Sequence, residues 1–307
     1  MSEPLSSIRK VVIPVAGLGT RLLPTTRALP KEMLPVGRYP AIQHVVEEMV
    51  AAGLTRILFI TSRSKAILEN QFDNNTDIVM HLQQDGRLDD LGDFDYAQRG
   101  VEFFYTRQQV PPGKTKPQGT GAAIAAAESF VDGEPFAVAY GDTIIRSAEG
   151  DSLVQRMLHS HRTHGSSCTL GVRTVPENLI SRYGIVSPRA GSDPKASDIA
   201  LSGIVEKPDP ADAPSRLAVS ARYIFNSEVF DEIRNVKTGP DGEIPITDAI
   251  RSLITGGRPV RAVQLADDEK RYDIGSHESY YKAFIDFALA DPQCGRQISD
   301  YLGEIGR

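Results

Sequence analysis

The 307-residue sequence contains no tryptophan and only two cysteines, Cys168 and Cys294. Two thiols so far apart, without metal-type spacing, favour buried or idle sulfur over a disulfide or a zinc site. Positive charge is also scarce, with 34 lysines and arginines against 40 aspartates and glutamates and a formal charge of −6. No Lys/Arg-rich run appears, so a nucleic-acid partner is not expected, and any anionic substrate must be met by local positive groups. No apolar stretch approaches the roughly 20 residues of a membrane span. The start Met1-Ser2-Glu3-Pro4 has neither the charged nor the apolar region of a signal peptide. A cytoplasmic protein without a membrane partner is the expectation. Internal repeats, low-complexity tracts and linkers are missing too, so residues 1–307 read as one continuous domain.

What is present is concentrated near the start. Val11 to Val15 is short, β-branched and apolar, as suits a strand buried on both faces of a parallel sheet. It runs into Ala16-Gly17-Leu18-Gly19-Thr20-Arg21, where two glycines let backbone N–H groups approach an anion and Arg21 adds a donor fork. The Rossmann fingerprint needs a third glycine where Leu22 stands, and a Walker A loop needs a terminal Gly-Lys-Ser/Thr that does not occur. Alone, the loop is also compatible with a plain tight turn. Lys31, held among Pro24, Pro30 and Pro35, cannot belong to a regular helix and is placed to meet a polyphosphate, whereas an ordinary loop lysine is merely solvated.

Gly17-Leu18-Gly19-Thr20-Arg21 with Pro24, followed by Pro30-Lys31-Glu32-Met33-Leu34-Pro35, resembles the two-part signature of sugar-1-phosphate nucleotidyltransferases, specifically the bacterial UTP–glucose-1-phosphate uridylyltransferases. The resemblance implies a Rossmann-like α/β fold: a doubly wound, mostly parallel mixed sheet flanked by helices, with a smaller β-rich sugar-binding part. The nucleotide-facing half would be about 8–150 and the sugar-facing half about 151–290, with a helical tail over 291–307. It further implies UTP and glucose 1-phosphate as substrates, Mg²⁺ as cofactor and a homo-oligomer, dimer or tetramer.

Pattern reading along the chain predicts a helix after Pro40 with Ile42, Val45, Val46, Met49 and Val50 on its apolar face, ended by Gly53. A strand over Arg56–Thr61 and a helix over Ser64–Phe72 follow, then a polar stretch, Asp73–Gly100, read as a helix with loops. Further strands are expected at Val101–Thr106, Phe136–Tyr140, Cys168–Thr174, Tyr183–Ser187, Ser202–Val205 and Leu217–Phe225. Helices are expected from Gly119 to Ala127 and over Asp151–His164, Glu228–Asn235, Ile246–Ile254 and Ser276–Leu289.

Gln108 presents a donor and an acceptor that match the O4 and N3–H edge of uracil, though a loop glutamine is solvated by default. The resemblance assigns the base to Gln108 and Gly119. Asp142 ends a strand where α/β sheets bind ligands, and serves equally as a Mg²⁺ ligand or a turn cap. Glu206 and Lys207 are adjacent, so alternation along a strand would point them to opposite faces, free of each other. In the resembled family such a pair binds the sugar and its phosphate, and Gly184 lets the hexose lie close. Asp273 resembles the second metal carboxylate, with N-capping as the rival role. His159, His161 and His164 cannot share one helix face and are read as solvated. Three departures from the family pattern touch the substrate: Gly37-Arg38-Tyr39-Pro40, Pro245-Ile246-Thr247-Asp248, and Ala221 where relatives have glycine, a methyl expected near the hexose. The alternatives are another base such as dTTP, another hexose 1-phosphate, or a nucleotide-sugar-binding regulator without turnover.

Overall fold

The computed structural model describes residues 8–63, 65–73, 76–87, 96–114, 117–147, 150–239 and 242–305. The apolar run forms β1 (Lys10–Pro14), and a short hairpin, β2 (Pro35–Val36) and β3 (Tyr39–Pro40), leads to α1 (Ala41–Ala51). Next come β4 (Arg56–Thr61), α2 (Ala66–Phe72), α3 (Thr76–Gln84), β5 (Glu102–Arg107), α4 (Gly119–Ala125), α5 (Glu128–Val131) and β6 (Phe136–Ala139). The second half contains β7 (Thr143–Arg146), α6 (Leu153–Thr163), β8 (Cys168–Thr174), β9 (Gly184–Pro188), β10 (Asp198–Glu206) and β11 (Leu217–Phe225). It closes with α7 (Val229–Asn235), α8 (Ile246–Thr255), β12 (Val260–Gln264), β13 (Lys270–Asp273), α9 (His277–Leu289) and α10 (Gly295–Ile305).

Among the described residues nine strands make one sheet in the order β5-β4-β1-β6-β11-β8-β12-β10-β9. The first four are mutually parallel, and β11 runs antiparallel to both β6 and β8. Beyond them the sheet is mixed, and β9 also reaches β11 at Ala218, so the second-half strands curl towards one another. The chain steps outward from β1 through β4 to β5 and then returns to the other side of β1 as β6. The order therefore reverses between β1 and β6, and open α/β sheets take ligands at the carboxyl ends of strands at such a point. The glycine loop and Asp142 follow those two strands.

Burial explains why β1 is apolar without alternation. Val11 and Ile13 pack with Ile42, Val45, Val46 and Met49 of α1, while Val12 packs on the opposite face with Leu58, Ile60, Ile124 and Val138. Gly141, after β6, has no room for a side chain: a Cβ would stand 2.5 Å from Val15 Cγ1 and 2.9 Å from Ile42 Cδ1. Only glycine lets that turn deliver Asp142 beside the end of β1.

Predicted and observed bounds coincide for Arg56–Thr61, Cys168–Thr174 and Leu217–Phe225, while the strand predicted from Ser202 begins at Asp198. Strands β2, β3, β7, β12 and β13 were not anticipated. The polar stretch contains α3, while 74–75 and 88–95, like residue 64, where a helix was expected to start, lie outside the described residues. No helix among the described residues is long and apolar enough to cross a membrane. Both cysteines are free, Cys168 buried and Cys294 exposed.

Three expectations are corrected. His161 is not solvated: it faces the core from α6, with Nδ1 3.0 Å from Thr169 Oγ1 and Nε2 3.2 Å from Asn226 Oδ1, and burial lowers its pKa. His164 lies 3.3 Å from Asp198, and only His159 is fully in keeping with the solvated reading. Glu206 and Lys207 are not independent, because the strand ends at Glu206 and Lys207 turns into the left-handed region at φ 46°, bringing Nζ to 3.3 Å from Glu206 Oε1.

Ala221 is the third. Its methyl is buried in β11 and does not line the cleft. The strand bulges between Val219 and Tyr223, and Ala221 sits at φ 57° with its carbonyl accepting from Tyr140 N at 3.2 Å and Arg222 Nη1 at 3.0 Å. The bulge turns the buried Arg222 guanidinium onto Glu48 Oε2 at 2.6 Å and the Thr143 carbonyl at 2.8 Å. An L-residue in the left-handed region costs about 1–2 kcal/mol, part of which glycine returns as unfolded-chain entropy. Ala221→Gly is expected to raise stability by about 1 kcal/mol in urea unfolding. An unchanged or lower midpoint would show that the bulge holds alanine without strain.

Candidate active site

The loop after β1 forms the floor of a cleft of about 1050 Å³. Gly19 adopts φ 67°, and its carbonyl accepts from Thr26 Oγ1 at 2.8 Å and Leu22 N at 3.0 Å, which fixes the turn. A side chain on Gly17 would project into open space, so this residue presents bare backbone to the cleft. Ala16, Gly17, Leu18, Gly19 and Thr20 all line it, as do Lys31, Gln108, Gly119, Asp142, Glu206 and Lys207. Eleven of the residues singled out in the sequence thus converge on one space.

Lys31 opens a short 3₁₀ turn, Lys31–Met33, and donates to Asp142 Oδ2 across the end of the sheet. Burial works against the ammonium, but the Asp142 and Glu32 carboxylates outweigh it and raise its pKa. For Asp142, burial favours the neutral acid, yet Lys31 and then Arg271 hold the carboxyl below its ordinary value. The pair is charged and poised, and each member is a group that a metal-bound polyphosphate would claim.

Gln108 Nε2 donates to the Gly119 carbonyl at 3.0 Å, so these two expected base contacts are physically joined. Gly119 takes φ 85°, and a Cβ there would stand 3.0 Å from Glu243 Cβ. Beside it, Gly121 N donates to the Ile244 carbonyl at 2.8 Å, and Ile244 N to the Gln118 carbonyl at 2.8 Å. These bonds draw the segment before α8 over the cleft.

At the other end, Glu206 is held by both oxygens: Lys207 Nζ at 3.3 Å from Oε1 and Thr247 Oγ1 donating at 3.0 Å to Oε2. Gly184 does not line the cleft. A Cβ there would meet Thr247 Cγ2 at 2.9 Å, so this glycine makes room for the threonine that orients Glu206.

Arg21 and Asp273 also stand outside the lining, but together. Gly275 separates them, and a Cβ on it would be 2.6 Å from Asp273 Oδ1 and 3.0 Å from Arg21 Nη2. Asp273 ends β13 opposite Thr143 of β7, and Ile274 N donates to the Asp142 carbonyl at 2.8 Å. The two carboxylates are therefore tied to one corner. Hard oxygen donors beside a polyphosphate-sized cleft suit Mg²⁺. No group of three or more acidic, histidine or cysteine side chains that could hold a metal occurs among the described residues, so water or substrate oxygens would have to complete the shell.

Several lining residues were not singled out as ligands. Tyr140 is half-buried with its hydroxyl 3.4 Å from that of Tyr223, and its burial pushes its pKa up to about 12. Glu243 and Ile244 line the cleft from the crossing segment, and Asp248 from the first turn of α8. Glu32 was seen only as part of the proline-bounded signature, and Lys65, its partner, carried no signal at all.

A family model described as nucleotidyl transferase matches residues 10–288. Over 302 residues the chain is 37% identical to the UTP–glucose-1-phosphate uridylyltransferase of Staphylococcus haemolyticus (strain JCSC1435), covering 98% of this chain and 100% of that one. Among solved structures, a UTP-bound UGPase from Acinetobacter baumannii is similar with a TM-score of 0.85 at 34% identity, covering 97% of this chain and 99% of that chain. A UDP-glucose pyrophosphorylase complexed with UDP-glucose gives 0.78 at 32% identity, covering 92% and 100%. With the family model spanning most of the sequence and its relatives aligning nearly end to end, the chain belongs to the nucleotidyl transferase family.

Proposed function

We propose that this protein transfers a uridylyl group from UTP to α-D-glucose 1-phosphate, giving UDP-glucose and pyrophosphate. The observation that carries the reading is the single cleft that joins the Ala16–Thr20 loop, with Lys31 and Asp142, to Glu206 and Lys207. The relatives' names and the two ligand-bound neighbours support these substrates. A phosphate oxygen of glucose 1-phosphate attacks the α-phosphorus of UTP in line, and the bond to the leaving pyrophosphate breaks with its electron pair. No covalent protein intermediate is needed, so the chain's part is positioning and charge neutralisation.

In this reading the loop N–H groups and Arg21 hold the triphosphate, and Gln108 with Gly119 holds the uracil. Lys31 leaves Asp142 for phosphate oxygens, Lys207 meets the sugar phosphate and Glu206 accepts from hexose hydroxyls. Mg²⁺, when bound by Asp142 and Asp273, would offset the phosphate charge. The nucleotide is taken by the first half of the chain and the sugar by the second. A homo-oligomeric assembly is part of the proposal, tested by sedimentation.

The experiment is to follow pyrophosphate release with Mg²⁺, each nucleoside triphosphate and each common hexose 1-phosphate. UTP with glucose 1-phosphate is expected to give the highest kcat/KM. Faster release from dTTP or with another hexose 1-phosphate would change the substrate. Binding of UDP-glucose with no pyrophosphate from any pair would make the protein a regulator without turnover.

A further inference from the structure

A buried ion pair with one member in the cleft lining has no part in the reaction above. Lys65 Nζ donates to Glu32 Oε2 at 2.7 Å, with side chains 4% and 2% exposed. Glu32 nevertheless borders the cleft and follows Lys31 in the same 3₁₀ turn. Lys65 comes from the entrance to α2, where its N–H donates to the Ser62 carbonyl at 3.1 Å and its carbonyl accepts from Leu68 N at 3.0 Å. The pair thus ties the turn that carries Lys31 to the entrance of α2.

Stability does not account for it. Taking two charges out of water costs desolvation that their attraction offsets only in part, and well-packed apolar residues of similar size are often as stable or more so. Its electrostatic setting is more informative. Lys65, Glu32, Lys31 and Asp142 alternate in sign, and each acts on its neighbours: Glu32 and Asp142 both favour the charge on Lys31, and Lys31 in turn favours that on Glu32. Burial raises the Glu32 carboxyl and lowers the Lys65 ammonium, and the pairing offsets both shifts only in part.

We propose that Glu32 and Lys65 are positioning residues: their buried ion pair fixes the turn that carries Lys31 and keeps that lysine in place for the triphosphate once Asp142 has been drawn to another partner. The proposal rests on the functional reading only in that the nucleotide and its cation engage Lys31 and Asp142. Glu32 follows Lys31 in the same turn, and its carboxylate stays anchored to the entrance of α2 when Asp142 is claimed. Lys65 supplies that anchor. Without Lys65, an unpaired anion in the cleft wall would repel a polyphosphate. Whichever partner holds the proton, the pair is neutral overall and adds no net charge against the substrate.

The test is a cycle of Lys65→Met, Glu32→Gln and the double variant, each measured for kcat, KM for both substrates and melting temperature. Lys65→Met alone is expected to lower the melting temperature and to cut kcat/KM for UTP by about tenfold or more. The double variant leaves no unpaired charge, so its melting temperature should recover, while kcat/KM for UTP stays about tenfold down and KM for glucose 1-phosphate moves by less than about threefold. If the single variant does not fold, the double variant alone decides. A double variant within about twofold of the parent in kcat and in KM for UTP would overturn the proposal and leave the pair as a structural tie. If the parent binds UTP without turnover, the functional reading fails by itself. The same criteria then apply to the UTP Kd.

Discussion

Lys31→Ala is expected to lower kcat/KM for UTP by on the order of 10² to 10³, a loss of roughly 3–4 kcal/mol of transition-state stabilisation. The lysine lines the cleft beside the glycine loop, is held charged by two carboxylates, and shares its turn with one member of a buried ion pair. A preorganised cation in a partly dehydrated cleft contributes far more to developing phosphate charge than the same ion in water. The substitution also removes the charge that most favours the Asp142 carboxylate, so the melting temperature should fall by a few degrees as well. The two effects separate in saturation kinetics on the folded enzyme, where the rate loss persists. Near-parental kinetics with a lowered melting temperature would make Lys31 only the counter-ion of Asp142.

That lysine and the glycine loop were legible because their constraints are local: prolines around Lys31, glycines in a turn, and a β-branched run that needs burial on two faces. What the sequence hid depends on partners far along the chain. Strand β13 is Lys-Arg-Tyr-Asp, with only Tyr272 buried, and it exists because β7 lies alongside more than a hundred residues earlier. His161 reads as one of three scattered histidines until Thr169 and Asn226 arrive on its two ring nitrogens. Lys65 would pass for a solvated loop lysine, since its carboxylate is 33 residues upstream.

Two misreadings came from extending a local rule past its end. Alternation separates Glu206 from Lys207 only while the strand continues, and it stops at Glu206. Gly184 was read as letting a hexose lie close, but the neighbour it admits is Thr247, which in turn orients the Glu206 carboxylate. In both cases what differs from the reading is the atom the residue meets.

Asp142→Asn is expected to raise the Mg²⁺ concentration for half-maximal rate and to lower kcat by on the order of 10². It should also reduce stability, because the carboxylate is mostly buried and is the acceptor for the Lys31 ammonium. An amide keeps an acceptor there but leaves a largely buried cation without its first counter-charge, a loss of about 2 kcal/mol at neutral pH. The folded carboxyl is depressed by Lys31 and Arg271 against the opposing effect of burial. The stability it contributes is therefore fully present above the unfolded carboxyl value of about 4 and is lost as pH falls through the lower folded value. The gap between parent and variant in urea midpoints should stay constant from neutral pH to about pH 5 and close below about pH 4. Asp273→Asn should shift the Mg²⁺ requirement with little change in stability, since its charged contact, Arg271 Nη2, lies at a loose 3.7 Å. If both residues hold one ion, the double variant should be no worse in Mg²⁺ dependence than the poorer single one. An Asp142→Asn enzyme that loses stability while keeping the parental Mg²⁺ dependence would confine this carboxylate to its ion pair with Lys31.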